Sequence, residues 1–352
     1  ETNRSLKNAS LAVQKAYAQR WQTIASMLPS ADLSWGYTSM MGYKMNFGGM
    51  PIEMPDNGTL GVTAAVGING QAIVGALLNN VAIDMQKLNL QQSEDNLRAN
   101  VKTSYASVLV LQNVVTLLES SLANIERMAE MTQRSVEVGA AEQTTADLIQ
   151  VRVNTLKNNI NANLRSTQLA LNALKVLLDV PANTELVLTS TLEDFLSAEA
   201  VLKLLGYDFA LENNLNYQLL EKNVELAKKN VHMAGWAYGP TVALAYQYSK
   251  KDYFGEKEGF NMTPPNAVSL NISVPLWSSG KRAAGVMEKK IALEEARNTF
   301  AETANNLGIQ NEQLRYNLQN GYETYVNEKA NMEVTQRVFE STTNKFNQGA
   351  AS

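Results

Sequence analysis

Cysteine is absent from the 352-residue sequence, and histidine occurs once, as His232. The first absence excludes disulfide scaffolds, thiolate metal sites and thiol catalysis. The second excludes two-histidine zinc motifs, and we interpret His232, on a helix before Pro240, as a structural or solvated residue. Gly280-Lys281 lacks the upstream glycine and the following Ser or Thr of a phosphate-binding loop. We therefore expect no catalytic constellation, no metal site and no cofactor, and the chain is not predicted to be an enzyme.

Charge is also scarce. Only 18% of residues are charged, and 30 Lys and Arg against 34 Asp and Glu give a net charge of −4 with no basic run. Nucleic acid is therefore not an expected partner. Asn, Gln, Ser and Thr replace the missing charges, which suits helices packed around an enclosed aqueous space. No uninterrupted apolar run reaches about 18 residues, so no transmembrane helix is predicted.

The sequence contains two copies of one unit. Asn3, Val13, Ala16 and Pro29 recur at one constant offset as Asn214, Val224, Ala227 and Pro240. Gly139-Ala140-Ala141 recurs, at nearly the same offset, as Gly349-Ala350-Ala351. We predict a first repeat over 1–178, a linker over 179–211 and a second repeat over 212–352. The second copy stops where the first continues for a whole helix, and the sequence opens at Glu1 in a helical segment rather than in a signal peptide. We therefore expect a trimmed chain that lacks an N-terminal segment and the C-terminal return helix.

Each repeat contains two segments in which apolar residues alternate with small or polar ones, as in strands with one apolar face. The predicted strands span about 31–43 and 59–69 in the first repeat, and about 241–250 and 267–276 in the second. Gly/Pro/Asn-rich loops connect them. Two interpretations stay open: hairpins that cover a soluble core, or strands of a transmembrane barrel, for which about 9–11 tilted residues suffice. Four strands cannot close a barrel, so the second interpretation requires several chains.

Very long helices follow the strands, at 72–137 in the first repeat and 282–347 in the second. Apolar residues spaced alternately four and three apart predict a coiled-coil seam in the first of them. They are Leu97, Val101, Ser104, Val108, Leu111, Val115, Leu118, Leu122, Ile125 and Ala129. Gly139 ends this helix, and Thr144-Thr145-Ala146-Asp147 is interpreted as the capping box of a return helix over 144–178. Leu156, Ile160, Leu164, Leu171, Leu174 and Leu178 would form its apolar face.

Three segments resemble motifs of the TolC-like outer-membrane efflux family. Leu28-Pro29-Ser30-Ala31-Asp32-Leu33 is similar to the family's Leu-Pro start of a strand. Val274-Pro275-Leu276-Trp277-Ser278-Ser279-Gly280-Lys281-Arg282 is similar to its Pro-Leu-aromatic-Gly-Arg exit into a long helix. Phe346-Asn347-Gln348-Gly349-Ala350-Ala351-Ser352 is similar to its Gly-x-x-Ser helical tip. The first repeat departs from this pattern at Gly67-Ile68-Asn69-Gly70-Gln71, and its Thr144 and Asp147 lie two residues farther from Gly139.

The resemblance implies a mainly α-helical fold with a β-barrel part. A homotrimer would form a twelve-stranded outer-membrane barrel joined to a periplasmic α-helical tunnel. Such a channel is the exit duct of a tripartite export system, with a periplasmic adaptor (membrane fusion) protein, an inner-membrane transporter and outer-membrane lipid as partners. The adaptor would dock at helical tips that contain Gly139, Thr144, Asp147, Gly349 and Ser352. In the linker, Glu185–Leu188 would be a short strand and Ser197–Leu205 a short helix of an equatorial belt.

Two further features and two rival functions complete the expectations. Gln336, Glu340 and Asn344 share one helix face near a tip and are candidates for a pore constriction, with ordinary solvated positions as the alternative. Five methionines in one loop offer thioethers to a soft metal or, alternatively, pack as apolar side chains. They are Met40, Met41, Met45, Met50 and Met54.

Two other functions compete with the export duct. The first is that of a soluble coiled-coil scaffold. The second is that of a periplasmic adaptor, but adaptors carry a β module between their two helices, and the tip of this chain at Gly139–Thr145 has none.

Overall fold

The structure is a computed structural model that describes residues 3–192, 198–254 and 264–347. The helices are α1 (Arg4–Ala25), α2 (Gly70–Glu137), α3 (Gln143–Leu178), α4 (Ala198–Leu205), α5 (Leu215–Gly235) and α6 (Lys281–Asn347). The strands are β1 (Ser30–Thr38), β2 (Lys44–Phe47), β3 (Met50–Glu53), β4 (Asn57–Asn69), β5 (Thr241–Tyr253) and β6 (Asn266–Ser273). The chain forms two compact units. The sheet unit comprises Ser10–Asn89 and Glu212–Thr303, and the helical unit comprises Glu1–Ala9, Leu90–Leu211 and Ala304–Ser352.

The sheet unit contains a four-stranded antiparallel sheet of order β1-β4-β5-β6. Strands β1 and β4 come from the first predicted repeat and β5 and β6 from the second, so the β4–β5 pair unites two hairpins that are distant in sequence. The prediction of a first strand over 31–43 was too long, because β1 ends at Thr38. The predicted loop before β4 contains a separate hairpin, β2–β3, which turns at Gly48 and Gly49. The strand predicted over 267–276 likewise ends earlier, at Ser273.

Strand β4 passes directly into α2 without a loop. The side chain of Asn69 caps the helix, since its Oδ1 accepts a hydrogen bond from the N–H of Ala72 at 2.7 Å. The indole ring of Trp236 lies against this junction. A Cβ atom built on Gly70 would stand 2.1 Å from two atoms of that ring, and one built on Gly239 would stand 2.7 Å from one of the same two atoms, Cε3. Trp236 therefore needs glycine at both positions.

Gly70→Ala is expected to destabilise the sheet unit, because the new methyl group overlaps the fused part of the Trp236 ring, which cannot move without leaving its site. Overpacking of this kind costs about 1–3 kcal/mol. Gly75→Ala in the same helix is the matched control, since its Cβ would meet Thr23 at an ordinary 3.8 Å and alanine favours helix. Thermal unfolding of the detergent-solubilised variants, followed by circular dichroism, measures both effects. Equal midpoints for the two variants would contradict this packing.

The second strand-to-helix junction, between β6 and α6, is organised by Arg282. Its guanidinium donates hydrogen bonds to the Ser278 Oγ at 2.9 Å and to the carbonyl oxygen of Pro275 at 2.5 Å. It also lies over the Tyr238 ring, 5.0 Å from the ring centroid. The left-handed backbone of Ser279 and Gly280 turns the chain toward the arginine. The Gly-Arg motif thus ties the exit from the sheet to the start of the helix.

The predicted seam of α2 is confirmed, because all ten seam residues are buried or half-buried in the helical unit. Helix α3 buries a side chain at every seventh position: Ala146, Val153, Ile160, Thr167 and Leu174. A seven-residue repeat is that of a coiled coil. Leu164, predicted on the apolar face, is instead exposed. Glu126 of α2 and Lys157 of α3 form an ion pair of 2.9 Å across this hairpin.

One helix requires a correction to the sequence-based prediction. Among the described residues, Gly70–Glu137 contains an 18-residue window with a mean hydropathy of 1.4, apolar enough to cross a membrane by length and composition. A single helix of this kind is weak evidence for membrane insertion. Its apolar content includes the seam residues, which a coiled coil requires in any case.

The predicted linker, 179–211, is tied by hydrogen bonds to other parts of the helical unit to which it belongs. The hydroxyl oxygen of Tyr105 accepts from the N–H of Ser190 at 3.2 Å. A hydrogen bond with the Ser190 side chain and, second, this backbone bond lower the pKa of Tyr105. Arg315 donates to the carbonyl oxygen of Leu205 at 3.1 Å. The short helix predicted over 197–205 corresponds to α4. The strand predicted at Glu185–Leu188 was wrong, since these residues form irregular backbone without a ladder partner.

Candidate membrane-spanning sheet and helical tips

The register of the sheet places apolar residues opposite apolar residues across all four strands. Leu33 of β1 lies opposite Val62 of β4, Val66 opposite Leu244 of β5, and Leu244 opposite Leu270 of β6. Because side chains alternate between the two faces of a strand, these residues and their neighbours at every second position form one continuous surface. We call it the apolar face. It consists of Leu33, Trp35, Tyr37, Leu60, Val62, Ala64, Val66, Ile68, Val242, Leu244, Tyr246, Tyr248, Val268, Leu270 and Ile272.

The opposite surface, which we call the polar face, carries small and mostly uncharged side chains. The register aligns Ser34 with Gly61, Thr63 with Gln247, and Ala243 with Asn271. No side chain larger than Gln occupies this face between Thr241 and Ser249 of β5. A face of this composition tolerates water and leaves free space next to the backbone.

The apolar face is uncovered in the single chain. Leu33 is 74% exposed, Leu270 is 63% exposed, and every residue of β1 and β6 is exposed. Soluble monomers rarely expose an apolar patch of more than a few hundred Å². In addition, within the described ranges 3–192, 198–254 and 264–347, β1 pairs only with β4 and β6 only with β5. Each outer strand therefore has one edge along which backbone N–H and C=O groups are available to pair with another strand.

Aromatic residues occur at both ends of the sheet. Trp35 and Tyr37 lie toward the ends of the strands that carry the connecting loops, whereas Trp236, Tyr238 and Trp277 lie beside the junctions with the helices. Trp277 is 88% exposed. Exposed aromatic side chains at both edges of an apolar band are typical of membrane-spanning barrels.

At the loop end of the sheet, the side chain of Asp56 binds the first connecting loop to the end of β1. Its carboxylate accepts hydrogen bonds from the Tyr37 hydroxyl at 2.7 Å and from the N–H of Met40 at 3.0 Å. These bonds lower the pKa of Asp56, the Tyr37 hydroxyl having the largest effect. The Tyr37 ring also contacts that of Phe254, with 5.9 Å between centroids. The hydrogen bonds hold the first loop to the end of β1, and the ring contact joins β1 to Phe254, which follows β5.

The methionine-rich loop is largely the β2–β3 hairpin. Met45 lies opposite Ile52 in this ladder, and Met50 follows the turn. Met41 has a left-handed backbone and is 94% exposed. Among the described residues, no group of three or more His, Cys, Asp or Glu side chains is arranged to hold a metal ion.

The first helical tip is a turn between α2 and α3. Gly139, with φ of +73°, closes α2 in a Schellman motif, since the N–H of Ala140 bonds to the carbonyl of Ser135 at 2.8 Å and that of Gly139 to Val136 at 2.9 Å. The predicted capping box was wrong. Helix α3 begins one residue earlier, at Gln143, and its N-cap, Glu142, makes no side-chain cap.

The predicted tip residues of this turn lie close together. Thr144 donates to the Glu142 carboxylate at 3.2 Å, and Asp147 accepts from Gln143 at 2.8 Å. Gly139, Thr144 and Asp147 are all exposed. Gly349 and Ser352, predicted for the second tip, lie outside the described residues.

The candidate constriction residues share one exposed face of α6. Gln336 donates to Glu340 at 2.8 Å, one helical turn away. Asn344 lies a further turn along the same face and is exposed. Leu307 is the one buried apolar side chain of α6 among the described residues.

The sequence-based prediction did not include the β2–β3 hairpin or a role for Asp56. The adjacent glycines Gly48 and Gly49 were the sequence signal for the turn of this hairpin.

An exposed, open-edged sheet linked in one chain to coiled-coil helices is the fold that solved outer-membrane channels have. The CmeC outer membrane channel of Campylobacter jejuni is similar, with a TM-score of 0.78 and 16% identity over 100% of this chain and 75% of that chain. The outer membrane protein VceC of Vibrio cholerae matches with a TM-score of 0.76 and 15% identity, over 99% of this chain and 84% of that chain. At such identities the likeness concerns the fold.

Sequence comparison agrees with the fold. Residues 206–352 match the family model described as outer membrane efflux protein. The outer membrane efflux protein BepC of Brucella suis biovar 1 is 25% identical over 233 residues, which are 62% of this chain and 48% of that protein. The chain thus spans about half the length of this curated relative. The predicted resemblance to the TolC-like outer-membrane efflux family is confirmed. These relatives are described as efflux proteins and channels, not as enzymes.

Proposed function

We propose that this chain is one subunit of an outer-membrane exit duct that conducts substrates passively out of the cell. The observation that carries the proposal is the sheet, whose apolar face is uncovered and whose two outer strands, β1 and β6, each have one edge without a partner strand among the described residues. Lipid is the partner that suits an apolar face flanked by aromatic residues. Water in a lumen suits the small, polar opposite face.

Barrel closure requires more than one copy of the chain. Four strands cannot enclose a lumen, since about eight are needed, and β1 and β6 are free to pair with strands of neighbouring copies. The family resemblance favours three copies and twelve strands. In that arrangement β6 of one subunit pairs with β1 of the next, and no strand edge remains unpaired.

The helices would extend this duct into the periplasm and contact the other components of an export system. In support, the tip at Gly139 is an exposed turn held by its own hydrogen bonds, so it can present Thr144 and Asp147 to an adaptor without unfolding. An inner-membrane transporter would supply the energy. On α6, Gln336, Glu340 and Asn344 of three copies would converge as a ring of uncharged and acidic groups.

The proposal is tested by the mass and the conductance of the detergent-purified chain. We expect a protein mass of three times the chain's 38.7 kDa in sedimentation, with detergent subtracted, and stepwise conductance in planar bilayers. Lysozyme purified in the same detergent is the control for adventitious leakage. A monomer that stays in the aqueous phase without detergent and gives no conductance would overturn the duct and favour the soluble scaffold.

A further inference from the structure

The strands of the four-stranded sheet contain few ionisable side chains, and their positions are uneven. Strands β4 and β6 contain no Asp, Glu, Lys or Arg. Lys250, Lys251 and Asp252 lie together near the loop end of β5. In β1, the one charged residue is Asp32. Asp32 is therefore the only charge in these four strands that lies away from the loop end.

The register places Asp32 at the middle of the sheet and on its polar face. Asp32 lies opposite Thr63, the central residue of β4, and Thr63 lies opposite Gln247. Its neighbour Leu33 belongs to the apolar face. A carboxylate that faced hydrocarbon at this depth would cost several kcal/mol, so the polar face must meet water if the sheet crosses a membrane.

The Asp32 carboxylate is available to mobile ions. It is exposed, and no described residue forms an ion pair or a hydrogen bond with it. Lys251 shares the polar face but lies four positions nearer the loop end, opposite Thr59, or about 13 Å away along the strand. Lys250 and Asp252 point to the other side and form an ion pair of 3.6 Å.

We propose that Asp32 gives the barrel lumen a preference for cations and that Lys251 opposes it near the loop end. The inference rests on the proposed trimeric duct, in which three copies of Asp32 surround one lumen. Fixed charges that line a pore enrich counter-ions and exclude co-ions within about one Debye length, which is about 10 Å at 0.1 M salt and about 30 Å at 0.01 M. The effect is therefore largest in dilute salt.

Reversal potentials in planar bilayers test the proposal, with KCl at about 10 mM on one side and about 100 mM on the other. Asp32→Asn is expected to lower the ratio of K⁺ to Cl⁻ permeability by about twofold, and Asp32→Lys to lower it further. Lys251→Gln is expected to raise the ratio. Asp252→Asn is the matched control, because Asp252 is an acidic residue of the same sheet on the opposite face; its ratio should equal that of the unchanged chain.

The outcomes separate the selectivity from the duct itself. A channel whose permeability ratio is the same with Asp32→Asn as without it overturns the role of Asp32 and leaves the duct intact. A chain that forms no channel before any substitution overturns the duct, and the role of Asp32 with it. Sedimentation and thermal unfolding of each variant show whether a changed ratio comes from a folded trimer. Because Asp32→Asn preserves size and shape, a shift in the ratio reports charge.

Discussion

Leu270→Arg is expected to prevent or strongly weaken folding into lipid bilayers while Ser269→Arg, one residue away, is tolerated. Leu270 is the middle residue of the three apolar positions of β6 and lies on the apolar face, whereas Ser269 lies on the polar face. An arginine that faces the bilayer midplane costs about 2–4 kcal/mol, and the cost is repeated in every subunit. An arginine in an aqueous lumen keeps its hydration.

Urea titrations of the protein in phospholipid vesicles, followed by tryptophan fluorescence, measure this difference. The unchanged chain and Ser269→Arg should unfold at similar urea concentrations, and Leu270→Arg should unfold at a much lower one. If the sheet were wet on both sides, Leu270 would be a solvent-exposed position, and surface substitutions usually change stability by less than about 0.5 kcal/mol. Equal stability of the two arginine variants would therefore contradict a lipid-facing apolar face.

Single-cysteine variants of β1 are expected to react with a thiol reagent in an alternating pattern. The chain has no cysteine of its own, so each introduced thiol reports one position. We choose Leu33, Ser34, Trp35 and Gly36, of which the first and third lie on the apolar face. In proteoliposomes, a charged maleimide should label Ser34→Cys and Gly36→Cys about tenfold faster, or more, than the other two, because a thiol in hydrocarbon is not ionised and not reached by the reagent.

The same variants provide their own control. All four positions are exposed in the single chain, so the labelling of a monomer in solution should not alternate. Denaturation in dodecyl sulfate should likewise make the four rates equal. Equal rates in proteoliposomes of folded protein would show that both faces of β1 meet water, and the barrel would have to be abandoned.

Local patterns predicted much of this structure because each depends on neighbours in the chain. Alternation of period two identified the four long strands and their apolar sides, since a strand turns successive side chains to opposite faces. The heptad pattern identified the buried seam of α2, since residues spaced alternately four and three apart lie on one side of a helix. Gly139 predicted the end of that helix, because many helices end at a residue with a left-handed backbone, a conformation that glycine adopts most easily. The helix start at Thr144 failed, since Glu142 takes the N-cap position without a side-chain bond.

Other features depend on contacts that no local pattern records. The segment Glu185–Leu188 has the composition of a strand, but no strand in the part of the chain that the structure describes pairs with it. The β2–β3 hairpin was hidden in a loop whose methionines drew attention to metal chemistry, although two adjacent glycines marked its turn. Trp236 explains why residue 70 is glycine, and this reason becomes visible only when the two residues are brought together.

The sequence by itself determined which side of each strand is apolar and which residues form the helical seam. Only the tertiary structure decided that β4 pairs with β5, with Val66 opposite Leu244. That single register joins two separate apolar stripes into one surface. A shift by one residue would have reversed the faces of one hairpin, and because the pairing joins segments far apart in the chain, only the folded structure shows it.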